Sequence, residues 1–267
     1  MSLRATILGC GSSGGVPRVG GDWGNCDPAE PKNRRSRSSI LVERTGEGGT
    51  TSILVDTSPD LREQLLSAEV KRLDAVLYTH DHADQTHGID DLRAIAYRMR
   101  DQIPVYMDAH TEEHVVGRFR YCFEMPEGRV HPAILSLQPL VANGDRFEVE
   151  GPGGPIRVDV IEASHGPTPT LIFLFDGKLA YGPDVWDIPD AGMTSLGGVD
   201  TWICDGLRYS VHPTHAHADK ALSWLARTRT RRGVLTNLHI DMDYNELGRE
   251  LPAIAEPAFD GMVIDVS

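Results

Sequence analysis

Residues 75–88 read Ala-Val-Leu-Tyr-Thr-His-Asp-His-Ala-Asp-Gln-Thr-His-Gly and constrain the chain more than any other stretch. The apolar run Ala75–Tyr78 is short and sharply bounded, which predicts a buried strand. Just past its end a loop offers His80, His82 and Asp84. Residues two apart in an extended segment project to one face, so the two imidazoles can grip a single cation. Asp84, where the loop begins to turn, is placed to bind a second cation beside it. Gly88 then lets the chain bend into Ile89–Arg100, where Ile89, Leu92, Ile95, Ala96 and Met99 recur at helical spacing. Neutral imidazole and carboxylate suit zinc and other divalent first-row metals. The bland alternative is a solvated polar loop, but three ligand types crowding one strand end argue against it.

The same grammar recurs. Ile156–Glu162 runs into His165, Lys178–Tyr181 into Asp184, and Gly233–Thr236 into His239. Taken singly, each of these is more often a hydrogen-bonded core residue than a ligand. Taken jointly with the 80–84 segment, they predict one metal site built from loops at one edge of a layered sheet.

Length and charge narrow the function. At 267 residues the chain has ample material for one domain, 1–267, and shows no fixed-period repeat, low-complexity tract or linker. A net charge of −13 disfavours long nucleic acids and membrane surfaces. It leaves room for a small phosphorylated substrate held by a metal and a few arginines. Cys10, Cys26, Cys122 and Cys204 form no Cys-x-x-Cys pair, so a reducing, cytoplasmic setting without disulfides is expected. No signal peptide and no membrane span are expected.

Other segments read less sharply. Leu3–Gly9 predicts a first strand running into Gly9-x-Gly11-x-x-Gly14, the spacing of a dinucleotide fingerprint. The Val16-Pro17-Arg18 that follows cannot begin the helix such a site needs, so a loop passing close to a ligand or metal is the better reading. Lys32–Ser39 holds four cations and is either a solvated loop or an anion-holding rim that includes Arg34 and Arg35. Ser39–Val42 and Ser52–Asp56 predict strands joined by a hairpin over 45–51, and Asp60–Ala68 a short helix. Pro104–Met107 predicts a strand, with a helix beginning near Thr111, whereas residues 122–140 carry no clear pattern. Phe147–Val149 and Ile156–Ile161 flank a Gly/Pro turn, Thr201–Cys204 predicts a strand, and Lys220–Arg227 a helix capped by Asp219 or Thr214.

The pattern His80-x-His82-x-Asp84 followed by His165, Asp184 and His239 resembles the metallo-β-lactamase superfamily. Within it, the chain is similar to the branch holding the phosphoribosyl cyclic phosphodiesterase of phosphonate breakdown. The resemblance spans nearly the whole chain, including the Gly9–Gly15 loop, Arg34-Arg35 and the closing Phe259-Asp260-Gly261-Met262. It implies an α/β fold, an αββα sandwich of two mixed sheets flanked by helices, with a dinuclear site at one edge. It further implies that His80, His82 and His165 hold one metal and that Asp84 and His239 hold a second, with Asp184 bridging as a catalytic ligand. The family usually has His directly after that Asp, and here the position is Gln85, so its amide, His87 or a water must stand in. The oxygen-richer second site should favour manganese relative to zinc. The branch's structural zinc is not expected, because Gly21, Trp23 and Met242 replace three of its four ligands and only Cys26 remains.

The function implied is hydrolysis of a small cyclic or nucleotide-like phosphodiester by water activated between two divalent ions, zinc or manganese. Protonation of the leaving alkoxide needs a donor. By alignment with the family His217 falls there, with His215 as runner-up and as a substrate contact alongside Arg34 and Arg35. Thioester or lactam hydrolysis on the same scaffold is the competing enzyme reading. A mononuclear site serving ligand binding or cofactor biosynthesis is the third. The resemblance also suggests a homodimer.

Overall fold

In a computed structural model describing residues 3–125, 128 and 131–266, the apolar runs pair into two seven-stranded mixed sheets. The first takes β1 (Leu3–Gly9), β2 (Ser39–Gly46), β3 (Gly49–Val55), β4 (Ala75–Leu77), β5 (Ile103–Tyr106) and β6 (Leu135–Leu137) in that spatial order. The second takes β7 (Arg146–Val149), β8 (Ile156–His165), β9 (Thr168–Phe175), β10 (Leu179–Gly182), β11 (Thr201–Asp205), β12 (Arg232–Thr236) and β13 (Ala255–Pro257). The last strand, β14 (Val263–Val266), returns to the first sheet and pairs antiparallel with β1.

Period-two alternation decides what each strand buries. On β3, Ile53 and Val55 enter the core between the sheets, where they meet Phe173, Phe175 and Ile203 from the second sheet. Leu54, between them, packs on the outer face with Val76 and Tyr78. That outer face is covered by α1 (Leu61–Ser67), α3 (Leu92–Met99) and α4 (Ala109–Phe123), through Leu61, Leu65, Leu92, Ile95 and Val115. Between α1 and α3 lies a single turn, α2 (Ala83–Thr86). The second sheet is covered by α5 (Asp190–Ser195), α6 (Ala218–Thr228) and α7 (Tyr244–Glu250), through Met193, Trp224, Leu225 and Leu247. The result is the four-layered αββα sandwich that the sequence resemblance implied. Strands buried on both faces read as unbroken apolar runs, and this is why β4 and β12 were visible in the sequence.

Some elements depart from the sequence reading. The β2–β3 ladder continues through Arg44↔Thr51 to Gly46↔Gly49, leaving a much tighter connection than the hairpin predicted over 45–51. Thr51 is held in the strand because its hydroxyl donates to the Gly154 carbonyl (2.8 Å) and accepts from the Gly153 amide (2.9 Å). The loop can lie that close only because Gly153 has no side chain: a Cβ there would sit 1.9 Å from the Arg44 carbonyl. The strand β9, unmarked in the sequence, pairs along the whole of β8 from Val158↔Phe175 to His165↔Thr168. The N-cap of α6 is His217, not Asp219 or Thr214. All four cysteines are free and buried. Among the described residues no helix is long and apolar enough to cross a membrane.

Candidate metal centre

Strand ends from both sheets meet at one edge of the sandwich. Past β4, the backbone delivers His80 and His82; at the end of β8 stands His165. Their ring centroids lie 4.6 Å (His80–His82), 5.1 Å (His80–His165) and 5.0 Å (His82–His165) apart. One ligand nitrogen from each falls within 4.8 Å of the others.

The surroundings prepare these rings as neutral ligands. Asp56, at the end of β3, accepts from the Thr79 amide (2.8 Å) and hydroxyl (2.9 Å). With its proton committed to Asp56, that hydroxyl can only accept from His80 Nδ1, 3.0 Å away. His80 Nε2 is then left with its lone pair, buried and without a partner. Likewise His165 Nδ1 donates to the Thr214 carbonyl at 2.8 Å, freeing its Nε2. Burial, and then the neighbouring imidazoles, lowers the His80 pKa well below its ordinary value. Burial first, and His215 next, lowers that of His165 to about 4. Uncharged imidazole nitrogens converging on one point, one of them orphaned, are what a borderline-soft divalent ion binds.

Asp184, just past β10, clusters with His165 and His215. Burial pushes the Asp184 carboxyl well above its ordinary range; His215 opposes the rise, and the carboxylates of Asp84, Asp205 and Asp56 add to it. A buried carboxylate so placed calls for positive charge beside it. His80, His82 and His165 therefore could hold one divalent ion, and Asp184 adjoins them through the group it shares with His165 and His215.

The groups expected around a second ion are arranged otherwise. The Gln85 side chain, fully buried, turns its amide nitrogen to Asp184 Oδ2 (3.0 Å) and Asp84 Oδ2 (3.3 Å). His239 binds Asp241 through Nδ1 at 2.6 Å, and its Nε2 faces the Arg18 guanidinium. Among the described residues neither Asp84 nor His239 belongs to a three-ligand cluster. The His87 ring packs edge-on against Phe119, centroids 5.4 Å apart, and among the described residues it joins no three-ligand cluster.

Of the two His considered as proton donor, the fold brings His215 to the centre. Its ring centroid lies 4.5 Å from that of His165, and its Nδ1 is 2.9 Å from Asp205 Oδ2 and 3.6 Å from Asp184 Oδ1. Asp205 is fixed by the amides of Val185 (3.0 Å) and Leu207 (3.1 Å), so it orients His215 rigidly. Burial alone would lower the His215 pKa, but the hydrogen bond to Asp205 and the charges of Asp205, Asp184 and Asp84 raise it to about 9. His217, two residues on, has Nδ1 buried without a partner and lies outside the ligand clusters.

The arginines of the basic run are elsewhere. Arg35 is buried, with Nη2 3.2 Å from Asn33 Oδ1 and Nη1 3.8 Å from the Cys26 sulfur. Arg34 is exposed and lines a separate open cavity of about 690 Å³ with Arg37 and Asp60, a cavity to which none of the metal-centre residues contributes. The cation that meets one of the expected ligands is Arg18, against His239, and only its place after the glycine loop marks it in the sequence. A further cluster, Asp81 with His110 and His114 on α4, has its carboxylate paired with Arg118 at 2.8 Å.

The beta-lactamase superfamily domain matches residues 51–240. A structure described as a new diphosphatase from the PhnP family is 32% identical, with a TM-score of 0.86 over 98% of this chain and 97% of that one. The octanoyltransferase of Porphyromonas gingivalis is 30% identical over 264 residues, 97% of this chain; the chain spans only 51% of that protein's length. Zinc-bound PqqB from Methylobacterium extorquens shares the fold, with a TM-score of 0.72 at 20% identity over 98% of this chain and 99% of that one.

Proposed function

The chain belongs to the metallo-β-lactamase superfamily, and on that premise we propose that it is a metal-dependent phosphodiesterase acting on a small cyclic or nucleotide-like phosphodiester. One observation carries the reading: a proton donor, His215, is fixed by Asp205 beside the three-imidazole cluster and Asp184. Its Nδ1 is committed to Asp205, so Nε2 is the atom left to serve a substrate. Expulsion of an alkoxide is slow without such a donor. The 32% identity to the PhnP-family diphosphatase supports phosphorus as the electrophilic centre.

A divalent ion on His80, His82, His165 and Asp184 would supply Lewis-acid polarisation and make water nucleophilic near neutral pH. The chain's own groups do the rest. His215 protonates the leaving oxygen at Nε2, and Asp205 stabilises the imidazolium until that step. Arg18, half-buried beside His239, offers a forked donor to the non-bridging oxygens of a phosphodiester. Asp56 and Thr79 hold His80 in one tautomer.

The test is a substrate panel on purified protein reconstituted with zinc or manganese: 2′,3′-cyclic nucleotides, ribose cyclic phosphates, a bis-aryl phosphate, a thioester and a β-lactam. Turnover of phosphodiesters alone is expected. Turnover confined to the thioester or the lactam overturns the proposal in favour of acyl transfer.

A further inference from the structure

We propose that Arg18 and Gln85 take the place of a second metal ion, so that this chain binds one divalent ion rather than two. The inference rests on the metal-site reading above and is independent of which substrate is cleaved.

Four groups were expected to surround the second ion: Asp84, Asp184, His239 and whatever occupies position 85. Asp84 and Asp184 already face the Gln85 amide, and His239 faces Arg18. The Gln85 amide nitrogen has two hydrogens, and it stands 3.0 Å from one carboxylate and 3.3 Å from the other. A carbonyl oxygen turned the same way would be repelled by both, so the carboxylates select the amide orientation. Gln85 Oε1 is left buried without a partner, a loss of about 1–3 kcal/mol that two bonds to charged acceptors offset.

At His239, Asp241 holds the proton on Nδ1, so the lone pair on Nε2 points at the Arg18 guanidinium. A nitrogen that accepts from an arginine cannot also bind a metal. Arg18 is not a stray surface side chain. Its backbone amide donates to the Asp22 carbonyl (2.8 Å), its carbonyl accepts from the Gly21 amide (2.9 Å), and the preceding Val16 pairs both ways with Arg35 (2.8 Å each). The glycine loop leaves room for its arm: a Cβ on Gly14 would stand 3.1 Å from both Arg18 Cγ and Nε. This gives a use to the Gly9–Gly15 loop that resembled a nucleotide fingerprint. It clears the path of an arginine.

Charge points the same way. The Arg18 guanidinium is charged at every pH where carboxylates ionise, so a cation approaching His239 Nε2 meets like charge. A divalent ion would have to displace both Arg18 and the Gln85 amide, and would gain only one imidazole and two carboxylates.

The experiment is metal counting without substrate. Metal-free protein, titrated with Mn²⁺ and analysed by elemental mass spectrometry after gel filtration, is expected to retain one ion per chain. Its EPR spectrum at saturation should be the six-line signal of isolated Mn²⁺. Two retained ions, or an exchange-coupled spectrum, overturn the proposal. The double substitution Arg18→Ala with Gln85→His is expected to raise the count from one to two, with the circular dichroism spectrum of the wild type as the check on folding. If the folded double variant still retains one ion, Arg18 and Gln85 are not what excludes the second, and the proposal fails. Should the double variant not fold, the wild-type count and spectrum decide alone. Because no turnover is measured, failure here leaves the phosphodiesterase reading standing, and the converse also holds.

Discussion

His215→Ala is expected to slow cleavage of an alkyl phosphodiester by about 10²- to 10⁴-fold, the usual worth of a positioned general acid and equivalent to roughly 3–5 kcal/mol of barrier. The loss on a nitrophenyl phosphodiester should be much smaller, because that leaving group departs as a stable anion and needs no proton. Metal content should be unchanged, since His215 Nδ1 is occupied by Asp205 and the three-imidazole cluster forms without it. His217→Ala is the informative partner. Its ring belongs to none of the ligand clusters, although the sequence alone placed the donor there. Comparable losses on both esters in His215→Ala remove the acid role. A leaving-group-dependent loss in His217→Ala instead of His215→Ala returns the role to His217.

The second large effect concerns the cluster itself. His80→Ala or His82→Ala should weaken divalent-metal affinity by more than about 100-fold, since changes one shell further out already cost 10- to 100-fold. Activity should fall with it. Asp84→Ala and His239→Ala, by contrast, should leave the metal count at one, because neither residue shares the cluster of His80, His82 and His165. Equal metal loss in all four variants would show a single dinuclear unit and contradict the account. Isothermal titration with zinc on each variant reads the difference directly.

Much of this arrangement is legible in the sequence. Strands β4 and β10 are buried on both faces and β8 alternates, so each reads as a strand and the polar residues near its end stand out as ligand candidates. His80, His82 and His165 are brought together in that way, with Asp184 joined to His165. Partnerships set by tertiary folding left no such trace. Arg18 sits 221 positions from His239, and nothing local links them. Asp56 reaches Thr79 across 23 residues through a strand-end bend at φ 63°. Choosing between His215 and His217 depended on which one Asp205 meets, and alternation along an extended segment puts both on the same side. Arg34 and Arg35 misled for a related reason: a run of cations advertises charge, but says nothing of which guanidinium is buried against Cys26 and Asn33. The strand β9 is hidden because Gly166, Pro167 and Pro169 read as loop, although the ladder with β8 already begins at Thr168.

The central claim is that His80, His82 and His165 cage a divalent ion. Anomalous diffraction at the zinc edge, from crystals grown with zinc, tests it most directly. One strong peak is expected about 2.0–2.1 Å from a nitrogen of each of those three rings. Crystals of intact, zinc-supplied protein with no anomalous density among the three imidazoles would contradict it.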